Sequence, residues 1–237
     1  MTLAAPVVAI MQPYFLPYMG YFQLAATADK FVIYDNIKYT KKGWINRNRL
    51  LANGEESIFS LPIQKASDSA PIGERELAGS FERTKLLNQF RGAYTHAPAF
   101  ADFFPVLCVI VEFPDNNLFR FLCHSIQQIF NYLEIRAPLI TSSSLSVDPE
   151  ARGEKRVIAT CLDLGAKTYI NPIGGLELYS ARAFEAAGMT LKFLRHVPRR
   201  YPQKSVNFIA NLSIADVLMS VPRREAQNMI QKDYELI

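Results

Sequence analysis

The chain has 237 residues, 49% of them hydrophobic and 20% charged, which excludes a disordered, collagen-like or low-complexity protein and supplies a core of ordinary density. The formal net charge of +4 is too small to argue by itself for DNA binding. The three Cys and three His lack disulfide or metal-ligand spacing, so we expect a reduced, cytoplasmic protein without a metal centre.

Apolar and helical patterns predict regular elements along the first half of the chain. Short apolar runs predict buried strands at residues 7–11, 31–35 and 57–63. Helical spacing predicts helices at residues 18–28, 82–95 and 116–135. The segment 64–135 interrupts the strand–helix rhythm, and we expect it to form a helical insertion or a lid. No apolar run reaches the ~18 residues that a membrane span requires.

The second half of the chain alternates more regularly between strands and helices. Strands are predicted at residues 137–140, 168–170 and 190–194, and helices at residues 153–164 and 177–187. Gly188 is placed to end the last of these helices. This alternation predicts an α/β fold in which a mostly parallel, Rossmann-like sheet carries helices on both faces. We expect residues 1–237 to form a single α/β domain.

Polar, aromatic and glycine residues follow the predicted strands, where ligands bind in an open parallel sheet. These residues are Gln12, Tyr14, Asp35, Asn171, Gly174, Gly175 and His196. We therefore expect the functional site at the carboxyl edge of the sheet, with Gln12, Asp35 and Arg47 lining one cavity. The alternative is that these residues are the ordinary polar loops into which strands emerge.

Ten of the 26 cationic side chains lie in two acid-free stretches, residues 36–54 and 186–215. The first stretch contains a cluster of cationic, amide and aromatic residues, namely Lys42, Trp44, Asn46, Arg47, Asn48 and Arg49. Guanidinium groups bind phosphate or carboxylate through two hydrogen bonds, and an aromatic ring stacks on a base or a sugar. Both stretches beside one sheet edge would form an anion-attracting rim. Alternatively, each is a solvated basic surface.

Tyr18 and Tyr21 lie after a strand and a proline, at the positions where HxGH-type nucleotidyltransferases carry two phosphate-contacting His. A tyrosine donates a hydrogen bond but is uncharged near neutral pH, so the scaffold resembles that group while its catalytic signature is missing. The alternative is that Tyr18 and Tyr21 share one helix face and pack in the core. His196 is a candidate general base because the pKa of histidine lies near neutrality. It is equally read as a surface residue.

Six strings of the sequence stand out, namely QPYFLPYMGYFQL (12–24), DKFVIYD (29–35), GWINRNR (43–49), YINPIGGLELY (169–179), YPQ (201–203) and NLSIADVLM (211–219). In these strings the chain resembles the WbqC-like family of bacterial proteins. Ala215 stands where we expect an Ile, a difference that concerns packing. The resemblance implies as candidate site residues Gln12, Tyr14, Tyr18, Tyr21, Asp35, Lys42, Trp44, Asn46, Arg47, Asn48, Arg49, Asn171, Gly174, Gly175, Tyr179, Tyr201, Gln203, Ser213 and Asp216, with His196 and Cys161 as weaker members.

The family is associated with surface polysaccharides such as O-antigen and is described as glycine or aminoacyl transferases acting on sugars. The resemblance thus implies a transferase that moves an aminoacyl or other acyl group onto an amino sugar, with a nucleotide sugar as the anionic partner. Asp35 is a candidate base, and the amides of Gln12, Asn46 and Asn48 are candidate oxyanion donors.

Several alternatives stay open on the sequence. The acyl donor can be an aminoacyl-tRNA, a carrier-protein thioester, CoA or an aminoacyl phosphate, and no cofactor follows from the residues. A second function is nucleotidyl transfer, with Tyr18 and Tyr21 contacting phosphate. A third is a non-catalytic nucleotide-sugar-binding protein.

Overall fold

A computed structural model describes residues 5–237. Its central sheet has six strands in the order β5-β2-β1-β6-β7-β8. These strands are β1 (Val7–Met11), β2 (Lys30–Ile33), β5 (Leu139–Thr141), β6 (Thr168–Pro172), β7 (Thr190–His196) and β8 (Tyr234–Leu236). The first five run parallel, and β8 pairs antiparallel with β7. The predicted α/β fold with a mostly parallel sheet is therefore confirmed.

Eight α-helices accompany the strands within the described residues. They are α1 (Met19–Thr27), α2 (Arg83–Tyr94), α3 (Phe100–Val111), α4 (Leu118–Leu133), α5 (Gly153–Asp163), α6 (Ala181–Ala186), α7 (Ile214–Ser220) and α8 (Arg223–Lys232). Helices α2, α3 and α4 lie within the segment predicted as a helical insertion, and its role as a lid stays a prediction. No helix in residues 5–237 is long and apolar enough to cross a membrane.

Two predicted elements differ from the structure. The strand predicted at 57–63 ends at Ser60, because it pairs as β4 (Glu55–Ser60) with β3 (Arg47–Ala52) in a separate antiparallel hairpin. Its two-residue turn is Asn53-Gly54, both at positive φ, as a tight hairpin turn requires. The helix predicted from residue 177 starts only at Ala181, because Ile173–Leu178 forms 3-10 turns.

The sheet is buried on both faces, as the continuous apolar runs of its strands predict. Along β1, Ala9 belongs to the larger core, which includes side chains of α1 and α4. Its neighbours Val8 and Ile10 belong to a second core with Val157 and Phe184, from α5 and α6. Successive side chains of a strand point to opposite faces, so one strand serves both cores.

The strand order reverses between β1 and β6. The chain runs from β1 to β2 and then to β5 on one side, and returns to β6 and β7 on the other. In open α/β sheets, ligands bind in the crevice that such a reversal leaves at the carboxyl ends of the strands. The fold therefore directs attention to the loops after β1, β6 and β7.

Candidate functional site

A cavity of about 360 Å³ lies at this reversal, and we call it the switch-point cavity. Its wall comes from the loops that follow β1, β6 and β7 and from the hairpin β3–β4 with the segment before it. The lining residues are Tyr14, Pro17, Tyr18, Trp44, Asn48, Arg49, Ile173, His196 and Asn211. Six of the predicted candidates meet here, whereas Gln12, Asp35 and Arg47 are not part of this wall. The expectation that those three line one cavity is therefore not met at this site.

The loop after β1 is held in place at Leu16, whose φ is 46°. A left-handed conformation is costly for a branched residue, so the surrounding contacts must stabilise it. The Leu16 carbonyl accepts hydrogen bonds from Asn48 Nδ2 at 2.7 Å and from Ser213 Oγ at 2.8 Å. Three of the sequence strings thus converge on one carbonyl. This contact fixes the positions of Tyr14 and Tyr18 on either side of it.

The exposed Trp44 ring lies near two guanidinium groups. The Cζ atoms of Arg47 and Arg49 each lie 5.6 Å from the Trp44 ring centroid, as two residues at i and i+2 on one face of β3 can. Arg49 lines the cavity and is paired with Glu56 at 2.8 Å. Arg47 instead donates to the carbonyls of Gly43 and Lys42, at 3.0 and 2.8 Å. Arg47 therefore holds the loop, and Arg49 is the cation at the cavity.

His196 is oriented by a fully buried amide on α1. Gln23 Nε2 donates to the carbonyls of Met229 and Asp233, at 3.0 and 2.8 Å. Because carbonyl oxygens only accept hydrogen bonds, the nitrogen of the Gln23 amide must face these two carbonyls and its oxygen must face the opposite way. Gln23 Oε1 then lies 2.8 Å from His196 Nδ1 and can only accept. The proton of neutral His196 is therefore on Nδ1, and the Nε2 atom keeps its lone pair.

Burial favours the neutral form of this imidazole. Desolvation lowers the pKa of His196 below its usual value, and the Asp233 carboxylate with its backbone carbonyl partly opposes that effect. The Tyr18 ring packs edge-on against the imidazole of His196, with 5.7 Å between the two ring centroids. The cavity thus contains a neutral, oriented histidine that can accept a proton through Nε2.

Tyr18 and Tyr21 do not form a pair of site residues. Tyr18 precedes the first turn of α1, and its ring covers Gly20, where a Cβ atom would lie only 2.4 Å from a ring carbon. Tyr21 is buried in the core and donates a hydrogen bond to the Gln12 carbonyl at 3.2 Å. Burial raises the pKa of Tyr21 well above its usual value, so its hydroxyl stays protonated. Only Tyr18 reaches the cavity.

Asp35 lies on the other side of the same sheet edge, beyond β2. Its carboxylate accepts hydrogen bonds from Ser142 Oγ at 2.8 Å and from the Ser143 amide at 3.0 Å. The single hydroxyl proton of Ser142 is shared with Asn36 Oδ1, which lies 2.8 Å from Ser142 Oγ. Asn36 also accepts from Arg156, whose guanidinium lies over the Tyr34 ring. The turn Ser142–Ser144 after β5 thus binds the carboxylate of Asp35 from the same chain. Catalysis by Asp35 stays a prediction.

Further candidates make structural hydrogen bonds. The Asn46 side chain accepts from the Tyr39 hydroxyl and donates to the Leu61 carbonyl, both at 2.7 Å. Asn171 accepts from the Tyr169 hydroxyl at 2.9 Å and lies against Gly175, where any Cβ would collide with its amide. These contacts shape the loops around the site. Lys42 lines a different cavity, and Cys161 is buried, which raises the pKa of its thiol to about 12.

Tyr201 and Gln203 belong to a network around a buried carboxylate on α7. Asp216 accepts from the hydroxyls of Tyr94 and Tyr201, at 2.6 and 2.5 Å, and from Gln203 at 3.3 Å. Desolvation raises the pKa of Asp216, while these donors lower it. The network ties the loop before α7 to the helix, and that loop carries the cavity residue Asn211. Tyr201 and Gln203, both predicted to bind substrate, therefore do not line the cavity but support the loop that carries Asn211.

The two acid-free stretches are only partly an anion-attracting rim. Acidic residues from elsewhere in the chain form ion pairs with Lys41, Arg49, Arg195 and Arg199. Their partners, in the same order, are Asp68, Glu56, Glu235 and Asp233, which lie outside both stretches. A stretch without acids in sequence thus acquires them through folding.

Gln23 and Asn211 are the residues that sequence reasoning missed. Gln23 was visible as the one amide side chain within an apolar helical segment, where a buried amide requires hydrogen-bond partners. Asn211 adopts a positive φ of 59°, a conformation that asparagine tolerates better than most residues. Neither signal shows that Gln23 bonds to His196 or that Asn211 lines the same cavity as His196.

Residues 12–228 match the WbqC-like protein family, and this range includes every lining residue of the switch-point cavity. The chain is also similar to the uncharacterized protein Rv1507c of Mycobacterium tuberculosis (strain ATCC 25618 / H37Rv). The two are 28% identical over 218 residues, which cover 90% of this chain and 93% of the relative. No solved structure matches the chain. The family match thus covers four of the six strands of the sheet and the loops that form the cavity.

Proposed function

The chain belongs to the WbqC-like protein family, and on that premise we propose that it transfers an acyl group, an aminoacyl group included, onto the amine of a nucleotide-linked amino sugar. One observation carries the proposal. The switch-point cavity joins a neutral, oriented histidine to an exposed indole and a guanidinium. The first suits proton transfer, and the other two suit an aromatic, anionic ligand.

The indole and guanidinium support a nucleotide as the binding handle. Trp44 is 46% exposed and is available for stacking, and Arg49 lies beside it, where a phosphate would compete with Glu56 for the guanidinium. A nucleotide presents a flat base and negatively charged phosphates, which match these two groups. The cavity volume of about 360 Å³ lies within the usual range for small-molecule sites.

His196 is the group that we assign to proton transfer. The sugar amine attacks the acyl carbonyl carbon with its lone pair, and its proton passes to His196 Nε2. The imidazolium then returns that proton to the departing group of the acyl donor as the bond to the carbonyl carbon breaks. Gln23 holds the Nδ1–H throughout, and the Asp233 carboxylate favours the transient positive charge.

Nucleotidyl transfer with paired tyrosines finds less support in this geometry. Tyr21 is buried and bonded to the Gln12 carbonyl, so it is not available to contact a phosphate. Asp35 is likewise engaged by Ser142 and Ser143. His196 is therefore the base that we favour over Asp35.

Thermal-shift screening followed by turnover assays tests the proposal. We expect UDP- or dTDP-linked amino sugars to raise the melting temperature, and ATP or CTP with Mg²⁺ to have little effect. We expect Trp44→Ala to abolish the shift, and Ile58→Ala, which changes an exposed apolar residue on the hairpin, to leave it intact. A shift with ATP or CTP and none with the sugars would contradict the proposal.

His196→Asn separates catalysis from binding. The Asn amide can still donate to Gln23, in place of Nδ1–H, but it cannot accept a proton. We expect turnover, measured by mass spectrometry of the acylated sugar, to fall about 10²–10⁴-fold with the ligand-induced shift retained. Full turnover in this variant would remove His196 from the mechanism. Binding without turnover in the wild-type protein, with each class of acyl donor, would support the non-catalytic alternative.

A further inference from the structure

A second concavity, of about 410 Å³, lies on the segment that precedes the hairpin. It is lined by Lys38, Tyr39, Thr40, Lys41, Lys42 and Asp68, and we call it the lysine pocket. We propose that the lysine pocket binds a compact, multiply charged phosphate group. This site is distinct from the switch-point cavity, with which it shares no lining residue.

The charge of the lysine pocket is strongly one-sided. Three lysines come from five consecutive residues, and Asp68 is the only carboxylate on the wall. Asp68 pairs with Lys41 at 2.5 Å, and its hydrogen bond with that ammonium lowers the pKa of Asp68. Lys38 and Lys42 make no ion pair with any described residue. Two exposed ammonium groups are therefore available to an anion.

The buried cation Arg75 adds to the positive charge of the lysine pocket. Arg75 is only 2% exposed and has no carboxylate within 4.0 Å among the residues that the structure describes. Its guanidinium lies 5.0 Å from the centroid of Tyr39, a wall residue of the pocket. Asp68 compensates part of the Arg75 charge, since Arg75 helps to lower the pKa of Asp68, and a bound anion would offset more of the cost of burying this cation.

Several contacts hold the pocket in shape before any ligand arrives. The Ile72 amide donates to the Ile37 carbonyl at 2.9 Å, and Lys38 pairs with Pro71 in an antiparallel bridge. The Tyr39 hydroxyl donates to Asn46 at 2.7 Å. The lysines thus project from a backbone that is fixed on both sides. A preformed site loses less entropy when it binds its ligand.

The number of positive charges around the lysine pocket favours a phosphate ligand over a single carboxylate. Two free ammonium groups and the field of Arg75 suit a ligand with several negative oxygens, and a compact di- or triphosphate fits the volume. Arg47 joins this segment to the other site, because it bonds to the Lys42 carbonyl and stacks on Trp44. Identifying the ligand as a phosphate-bearing acyl donor, such as CoA, rests on the proposed function. The proposal that the lysine pocket binds phosphate is independent of that function.

Titration with inorganic triphosphate tests the site without any turnover. Trp44 is the single tryptophan of the chain, so its fluorescence reports on the adjoining segment, and calorimetry gives the affinity. We expect saturable binding at low salt that weakens about tenfold or more in Lys38→Gln/Lys42→Gln. The matched double variant Lys192→Gln/Lys232→Gln removes the same charge elsewhere and should change affinity less than about twofold. Asp68→Asn, which frees Lys41, should tighten binding about threefold.

The outcomes separate this inference from the proposed function. Equal weakening in both double variants, or no saturable binding by the wild-type protein, would overturn the lysine pocket as a site. Competition by CoA identifies a phosphate-bearing cofactor as the source, and binding of RNA without binding of triphosphate would contradict a compact ligand. The thermal shift with nucleotide sugars should persist in Lys38→Gln/Lys42→Gln, because those residues do not line the switch-point cavity.

Discussion

The two sides of one sheet edge use similar residues in opposite ways. Beyond β2 and β5, Asp35, Asn36, Ser142 and Arg156 satisfy one another through hydrogen bonds. Beyond β1, β6 and β7, the polar groups surround an open cavity, and the oriented imidazole of His196 keeps a free lone pair. A polar residue at a strand end is thus a site candidate only when the fold leaves part of its hydrogen-bonding capacity unused.

Asp35→Ala is the strongest way to break this comparison. The change leaves the Ser143 amide without its acceptor, whereas Ser142 Oγ can still donate to Asn36, and one hydrogen bond to a charged group contributes about 2 kcal/mol. We expect the free energy of unfolding, measured in urea, to fall by about 2 kcal/mol. Turnover per folded molecule should stay near the wild-type value. Lost turnover at unchanged stability would restore Asp35 as a catalytic residue.

Arg49→Lys and Arg47→Lys sharpen the comparison within one strand. Arg49 is at the cavity, so losing its planar fork should weaken nucleotide-sugar binding about tenfold, or ~1.4 kcal/mol. Arg47 bonds to its own loop, so its replacement should alter the melting temperature more than the affinity. Isothermal titration of both variants at low and high salt measures the difference. Wild-type affinity in Arg49→Lys would mark the segment as a solvated surface.

The pH dependence of stability gives the smallest effect. Because burial lowers the pKa of His196, the unfolded chain binds a proton more readily than the folded chain does. The contribution of neutral His196 is therefore fully present above about pH 6.5, the ordinary histidine value, and declines as the pH falls below it. His196→Asn should flatten this part of the stability curve. The same slope in both proteins would show that another group is responsible.

Much of the fold could be predicted from local sequence. The strands β1, β2, β6 and β7 follow from short apolar runs, because a strand buried on both faces needs apolar residues at nearly every position. Helix α4 follows from its apolar periodicity, and its ends agree with the prediction to within two residues. The helices α3, α7 and α8 and the strands β3 and β8 were not predicted as elements.

The candidate site could be predicted only in part. The convergence of Tyr14, Tyr18, Trp44, Asn48, Arg49 and His196 follows from the rule for parallel sheets together with the family strings. Arg47 and Asp35 look equivalent to them in sequence, yet their side chains turn to a loop and to a serine turn. Residue type and position along a strand do not specify which partner a polar side chain finds.

The amino-acid sequence by itself determined the parallel α/β sheet, because hydrophobic periodicity is a local property that each segment expresses alone. Only the tertiary structure decided the chemistry of His196. Gln23 orients that imidazole across 173 positions of the chain, and the carbonyls that orient Gln23 lie 206 and 210 positions away from it. Hydrogen bonds between such distant residues depend on how the elements pack, so no local pattern reports them. The lone pair on His196 Nε2 is a product of packing.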